Sequence, residues 1–132
     1  MKYLLDTNII IDFFHKKQSV VQNIMDAGIH ECCISDLTLY ELYYGAQCCA
    51  DPGKETAKID NFRDKITIIP SGLCYKEAAC QKGLLRAKGK LIEDIDIMIA
   101  TSALTNNLVL VTNNEKHLSR ISGVKIENWL DD

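Results

Sequence analysis

The stretch KYLLDTNIIIDFF, residues 2–14, decides the architecture. Lys2-Tyr3-Leu4-Leu5 is a short apolar run that breaks at Asp6. Asp6, Thr7 and Asn8 follow as three N-cap-type residues, and Ile9 to Phe14 continue in a helical window. A strand that passes directly into a helix through a capping acid opens a β-α-β unit, and the same alternation runs on along the chain. Ser19 is placed to cap a second helix carrying Val20, Val21, Ile24 and Met25, which Gly28 stops. Cys32-Cys33-Ile34-Ser35 reads as a short buried strand. Ser35 or Asp36 then caps a helix to about Gln47, and Leu37, Leu39, Tyr40, Leu42, Tyr43 and Tyr44 predict its burial over much of the circumference. Asp51-Pro52-Gly53 marks a turn before a polar helix near 54–64. Ile66 to Ile69 is a β-branched strand bounded by Pro70. A helix over 72–88 ends at Gly89, and a very apolar helix covers 92–105. Leu108-Val109-Leu110-Val111 is continuously apolar, the pattern of a strand covered on both faces. A short helix at 114–118 and a strand at 124–126 complete the series. Strands separated by helices four or five times predict an α/β sandwich with a mostly parallel sheet of four or five strands.

The chain has 132 residues, 47% of them apolar and 25% charged, which excludes disorder as a description of the whole and suits one domain over 1–132. No run of about 18 apolar residues is present, so no membrane span is expected. Asp6, Asn8 and Asp12 interrupt the N-terminal apolar run and no small-residue cleavage site follows, which reads as mature protein. Six cysteines without a signal peptide predict a reducing, cytoplasmic setting in which they are thiols, serving as small buried hydrophobes. The net charge of −3 speaks against binding nucleic acid by broad phosphate neutralisation. Its distribution is less discouraging: Lys76, Lys82, Arg86, Lys88 and Lys90 face a single acid, Glu77, within residues 76–90. Lys82, Arg86 and Lys90 step by four, so they would share a helix face, either a solvated one or a stripe that steers a phosphate backbone.

In open parallel sheets ligands bind beyond the strand C-termini. Asp6 falls there, as do Thr112, Asn113 and Asn114. Glu41 and Asp96 lie in strongly apolar helices, where a carboxylate is costly to bury unless it is paired or bound to a cation. Together with Asp6 and Asn114 they suggest an oxygen-ligand cluster for a hard divalent cation, with Asp94 as a further candidate. Plain capping roles stay open for Asp6, Asp94 and Asn114. Asp12 reads as a surface residue and Asp36 as a cap. His15, His30 and His117 read as surface or structural, and no Ser/His/Asp or Cys/His arrangement is suggested.

Five blocks, LLDTNIIID (4–12), ISDLTLYELYYGA (34–46), DIDIMIATSAL (94–104), LVLVTNNEKHL (108–118) and VKIENW (124–129), resemble in content and order the PIN-domain ribonucleases. The likeness is strongest to the VapC toxins of type II toxin–antitoxin pairs. The resemblance implies a three-layer PIN-like sandwich and a Mg²⁺- or Mn²⁺-dependent endoribonuclease that leaves 5′-phosphate and 3′-hydroxyl ends and inhibits translation. Asp6, Glu41 and Asp96 match the family's catalytic, metal-binding acids. Asn114 falls at a fourth position that is often Asp, and Asp94 adds a carboxylate nearby. Thr7, Asn8 and Thr112 match positions that support the acids by hydrogen bonds. Transfer or ribosomal RNA is the implied substrate, and a VapB-like antitoxin and a second copy of the chain are the implied partners. Tyr40, Tyr43, Tyr44 and Leu37 fit an apolar groove for an antitoxin helix, or the core. Two other readings compete: a catalytically weak PIN-like module that binds RNA or a partner, and a receiver-type phosphoacceptor domain. The receiver reading lacks paired acids after strand one and a Lys after Val111.

Overall fold

A computed structural model describes residues 1–130; the end of the expected domain at residue 132 lies outside the described residues. Five strands, β1 (Tyr3–Leu5), β2 (Cys32–Ser35), β3 (Thr67–Ile69), β4 (Val109–Val111) and β5 (Lys125–Glu127), form one sheet in the order β3-β2-β1-β4-β5. Every pairing is parallel, with Leu4 opposite both Cys33 and Leu110. A receiver domain would place β1 between β2 and β3. Here β1 lies between β2 and β4, so the topology removes that reading.

Seven helices cover the sheet: α1 (Thr7–Phe14), α2 (Gln18–Ala27), α3 (Asp36–Gln47), α4 (Pro52–Arg63), α5 (Tyr75–Ala87), α6 (Asp94–Thr105) and α7 (Glu115–Leu118). Side-chain alternation along the strands sorts them into two layers. Leu5, Cys32, Ile34 and Val111 pack with Ile9, Ile10, Val20, Ile24, Leu39, Leu42, Ile59 and Phe62 from α1–α4. Leu4, Cys33, Ile69 and Leu110 face Ala78, Leu85, Ile97, Ile99, Ala100 and Ala103 from α5 and α6, together with Leu118 of α7. With both faces covered, the strands have no solvent side, which is why they read as unbroken apolar runs.

Several local expectations are corrected. Ser19 is the second residue of α2, whose N-cap is Lys17. Pro52 and Gly53 form the first turn of α4, capped by the Asp51 carboxylate; Pro has no N–H to lose at that position. Gly72–Cys74 is a separate 3₁₀ turn before α5, and α6 begins at Asp94 with Glu93 as its N-cap. Asp36 is not the cap of α3, which is Ser35; its Oδ1 instead accepts the Ser71 N–H at 3.1 Å and ties α3 to the exit of β3. Asp12 is not a surface residue: it is 8% exposed and pairs with Lys17 at 3.4 Å. Cys32, Cys33 and Cys74 are buried, but Cys48, Cys49 and Cys80 are exposed, beyond the last turn of α3 and on the outer side of α5. Burial pushes the Cys32 and Cys33 thiols up to about 11 and about 12, as expected of packing groups rather than nucleophiles. No described helix is long and apolar enough to cross a membrane.

Leu4 is fully buried in the central strand, so Leu4→Ala is expected to cost about 2–5 kcal/mol in urea unfolding. A loss below about 1 kcal/mol would contradict the packing of that layer.

Candidate active site

The chain reverses its direction of travel across the sheet at β1. β1 leads outward through β2 to β3, and β4 returns to pair with the other edge of β1. At such a switch point the strand ends diverge and leave a crevice. Asp6 and Thr112, the residues that follow β1 and β4, sit there side by side.

Asp6 is 4% exposed and both its oxygens are engaged. Oδ1 accepts the Thr7 N–H at 2.8 Å, which makes Asp6 the N-cap of α1, and Oδ2 accepts the Thr112 hydroxyl at 2.8 Å. Thr112 Oγ1 in turn accepts the Asn114 N–H at 3.0 Å. Burial raises the Asp6 pKa, and the bonds from Thr112 and Thr7 act against that rise. From the α3 side, Glu41 Oε1 accepts the Thr7 hydroxyl at 2.5 Å, and Thr38 Oγ1 lies 3.1 Å from the same hydroxyl. One threonine therefore joins the carboxylates of two helices: its N–H holds Asp6 and its hydroxyl holds Glu41.

Asp96 enters from the first turn of α6 and is half-buried. Its carboxyl is pushed up to about 6, first by desolvation and then by the negative charges of Asp6, Glu41 and Glu93. One cavity is lined by Asp6, Thr7, Asn8, Ile11, Tyr40, Glu41, Tyr44, Ile95, Asp96 and Asn114. The expected acids thus lie around a common space, together with Thr7, Asn8 and Asn114, while Thr112 supports it from behind. They are hard oxygen donors of the kind that Mg²⁺ or Mn²⁺ takes, and their mutual repulsion is what such an ion would relieve. They surround the cavity rather than a point: among the described residues no three Asp, Glu, His or Cys side chains form a closed shell.

The other candidates lie elsewhere. Asp94 does not line this cavity; it pairs with Lys82 at 2.8 Å across the α5–α6 groove. Lys82 and Arg86 are both on α5, but the helix ends at Ala87 and Gly89 turns the chain at φ 66°, so Lys90 leaves their face. His117 is exposed on the rim of a neighbouring groove that contains Asp94 and Asp96. The burial expected over much of α3 is only partial. Tyr43 is half-buried, and its hydroxyl donates to Asp60 at 2.5 Å and accepts from Arg63 at 3.3 Å. Tyr40 and Tyr44 are 63% and 64% exposed and line the cavity. Thr38 and Glu93 were not expected at the site. Thr38 stands three residues before Glu41, one helical turn away, and that spacing is the signal that could have found it.

Comparison with known proteins agrees with this fold. The PIN domain model matches residues 3–124. The chain is 33% identical over 134 residues to ribonuclease VapC2 of Haemophilus influenzae, covering 98% of this chain and 99% of that protein. It is also 33% identical over 133 residues to the tRNA(fMet)-specific endonuclease VapC of Shigella flexneri, covering 98% of each. Among solved structures, VapBC2 from Rickettsia felis bound to a promoter DNA fragment is similar at TM-score 0.88 and 31% identity, covering 98% of this chain and 100% of that one. With the family model matching most of the chain and a third of the residues identical to VapC proteins over nearly their full length, this chain belongs to the PIN-domain family and, within it, to the VapC group.

Proposed function

We propose that this protein, a single PIN domain over 1–132, is a metal-dependent endoribonuclease and the toxin of a toxin–antitoxin pair, acting in the cytoplasm to inhibit translation. The observation that carries the reading is the convergence of Asp6, Glu41 and Asp96 on one cavity at the sheet's switch point. Relatives named as ribonuclease and tRNA(fMet)-specific endonuclease support an RNA substrate, transfer RNA ahead of ribosomal RNA. A Mg²⁺ or Mn²⁺ ion, when bound, would stabilise charge at the scissile phosphate and lower the pKa of the attacking water. Asp6, Glu41 and Asp96 would hold it, with Asn114 as an uncharged fourth donor. The chain's own contribution is orientation. Asp6 and Glu41 are held by threonine hydroxyls. Asp96, whose carboxylate accepts no hydrogen bond from the described residues, is the acid free to orient water and receive its proton. Attack of that water on phosphorus breaks the bond to the 3′ oxygen and leaves a 3′-hydroxyl and a 5′-phosphate. Lys82, Arg86 and Lys90 would approach the backbone, but the pairing of Lys82 with Asp94 limits that contribution.

Similar solved structures are toxin–antitoxin complexes, which supports a VapB-like antitoxin as partner. The groove between α1, α2 and α4 suits its helix. Phe13, Phe14, Val21, Met25 and Phe62 line it, and Lys16, Lys58 and Lys65 stand among them, a match for an apolar segment that carries acids. Leu73 and Tyr75, 84% and 55% exposed beside the start of α5, offer an apolar patch for a homodimer.

Purified protein is expected to cleave a structured RNA pool with Mn²⁺, to stop on chelation, and to lose more than about 100-fold in rate as Asp6→Asn or Asp96→Asn, above the loss of an outer-shell partner. Cleavage that survives both substitutions would overturn the assignment; no cleavage of any RNA would favour the non-catalytic binding module, for which Asn114 speaks. Expression without the antitoxin should slow growth, and normal growth with abundant folded protein would count against a toxin.

The raised Asp96 pKa also makes a stability prediction. A carboxyl held at about 6 in the fold against an ordinary 3.8 favours its acid form, so its stabilising contribution is complete below the ordinary value and is lost as pH rises through about 6. In chelator, the wild type should therefore lose on the order of 1 kcal/mol more than Asp96→Asn between pH 5 and 7.5, after allowance for solvent screening. Mn²⁺ should raise the wild-type melting temperature at pH 7.5 and leave Asp96→Asn unmoved. Parallel pH profiles for the two proteins would mean that the acids do not share a field.

A further inference from the structure

Helix α3 carries three tyrosines within five residues, and the structure gives them two different environments. Tyr43 packs against the core and its hydroxyl is tied to Asp60 and Arg63. Tyr40 and Tyr44 lie one turn apart on another face, the face of Glu41, and both line the carboxylate cavity. They are 63% and 64% exposed, and among the described residues neither ring pairs with another ring and neither hydroxyl forms a hydrogen bond. The other aromatic rings of this layer are used: Tyr3 against Trp129, and Phe13 and Phe14 against Phe62. Two large rings thus stand uncovered on the wall of the site.

The electrostatics around them define what they can hold. The cavity carries three carboxylates, the chain has a net charge of −3, and Lys82, which lies across the neighbouring groove, is already paired with Asp94. Phosphate contacts are therefore a poor source of affinity here, whereas the flat face of a nucleobase is neutral and stacks on tyrosine whatever its sequence. Paired bases are already stacked inside a duplex and present only their edges, so a tyrosine wall selects unpaired nucleotides.

We propose that Tyr40 and Tyr44 form a base-stacking platform that holds unpaired nucleobases flanking the scissile phosphate, and so set the preference of the site for single-stranded or looped RNA. This rests on the nuclease reading for its scissile phosphate, but stacking can be measured without cleavage. An antitoxin helix is the competing occupant of the same two rings; the lysine-rimmed groove between α1, α2 and α4 offers that helix a larger apolar seat.

The test uses the full chain in chelator and a short unstructured RNA oligonucleotide carrying 2-aminopurine, alone and annealed to its complement. Binding to the single strand should quench the 2-aminopurine fluorescence. Tyr40→Leu and Tyr44→Leu should each weaken binding about tenfold and reduce the quench, while Tyr40→Phe and Tyr44→Phe keep both, since the ring and not the hydroxyl stacks. With Mn²⁺ restored, the Leu variants should raise KM and leave kcat near the wild-type value. The platform is overturned if the double Leu variant binds and quenches like the wild type, if the Phe variants fail to restore binding, if the annealed RNA binds as tightly as the single strand, or if the Leu variants lose the antitoxin and keep RNA. The two readings separate: cleavage unaffected by the Leu variants would leave the nuclease without its platform, and quenching without any cleavage would leave the platform without the nuclease.

Discussion

The burial of one carboxylate at the end of the central strand is the constraint on which the rest of the structure depends. Asp6 is almost inaccessible, and an ionised group in that position must be supplied with donors. The fold supplies them from two directions. The start of α1 gives the Thr7 N–H, and the residue after β4 gives the Thr112 hydroxyl. The first bond sets where α1 begins; the second draws the ends of β1 and β4 together at the point where the sheet reverses its winding. The backbone follows the same logic, since the Asp6 N–H donates to Val111 O at 2.9 Å. Replacing Asp6 with an apolar residue would remove a helix cap and a strand-end clamp as well as an acid, whereas Asn keeps the shape and an acceptor.

Around that fixed point the other acids are arranged with unequal freedom. Glu41 is linked to Asp6 through Thr7, whose hydroxyl donates to Glu41 and whose N–H donates to Asp6, so α1 and α3 cannot slide without breaking the link. Asp96 has no such tether, and its raised pKa records its own desolvation first and then the fields of Asp6, Glu41 and Glu93. Rigidity therefore falls from Asp6 to Glu41 to Asp96, an order that suits two acids that hold position and one that adjusts to what enters.

Much of this was legible in the sequence because apolar strands and capped helices leave strong local signals. Asp6-Thr7-Asn8 reads as a cap, Leu108–Val111 as a buried strand, and Glu41 and Asp96 stand out against apolar helices. The PIN resemblance implied the roles proposed for the acids. What the sequence hid were consequences of geometry. The length of α5 depended on a left-handed Gly89, which moved Lys90 off the face it seemed to share with Lys82 and Arg86. Asp94 looked like a spare ligand by proximity, but two residues in a helix differ by about 200° in direction, so Asp94 faces α5 when Asp96 faces the cavity. Asp12 looked exposed because its partner, Lys17, is brought back by the tight turn after α1. Apolar periodicity cannot separate a core tyrosine from one on the wall of a site, so Tyr43 and its two neighbours read alike.

The small net charge shows the same limit of counting. A chain at −3 is unsuited to RNA if charge is only summed, yet the acids responsible for part of that sum line a cavity where a cation would be useful. Removing them would make the protein less acidic overall while depriving the site of its donors. Adding lysines to the surface would raise non-specific affinity for RNA without giving preference among RNAs, because phosphates are the same in every sequence. An acidic pocket with neutral aromatic walls instead makes binding depend on what the bases can do. Selectivity then follows from weak phosphate attraction, and the acidity of the chain is part of how the site would discriminate.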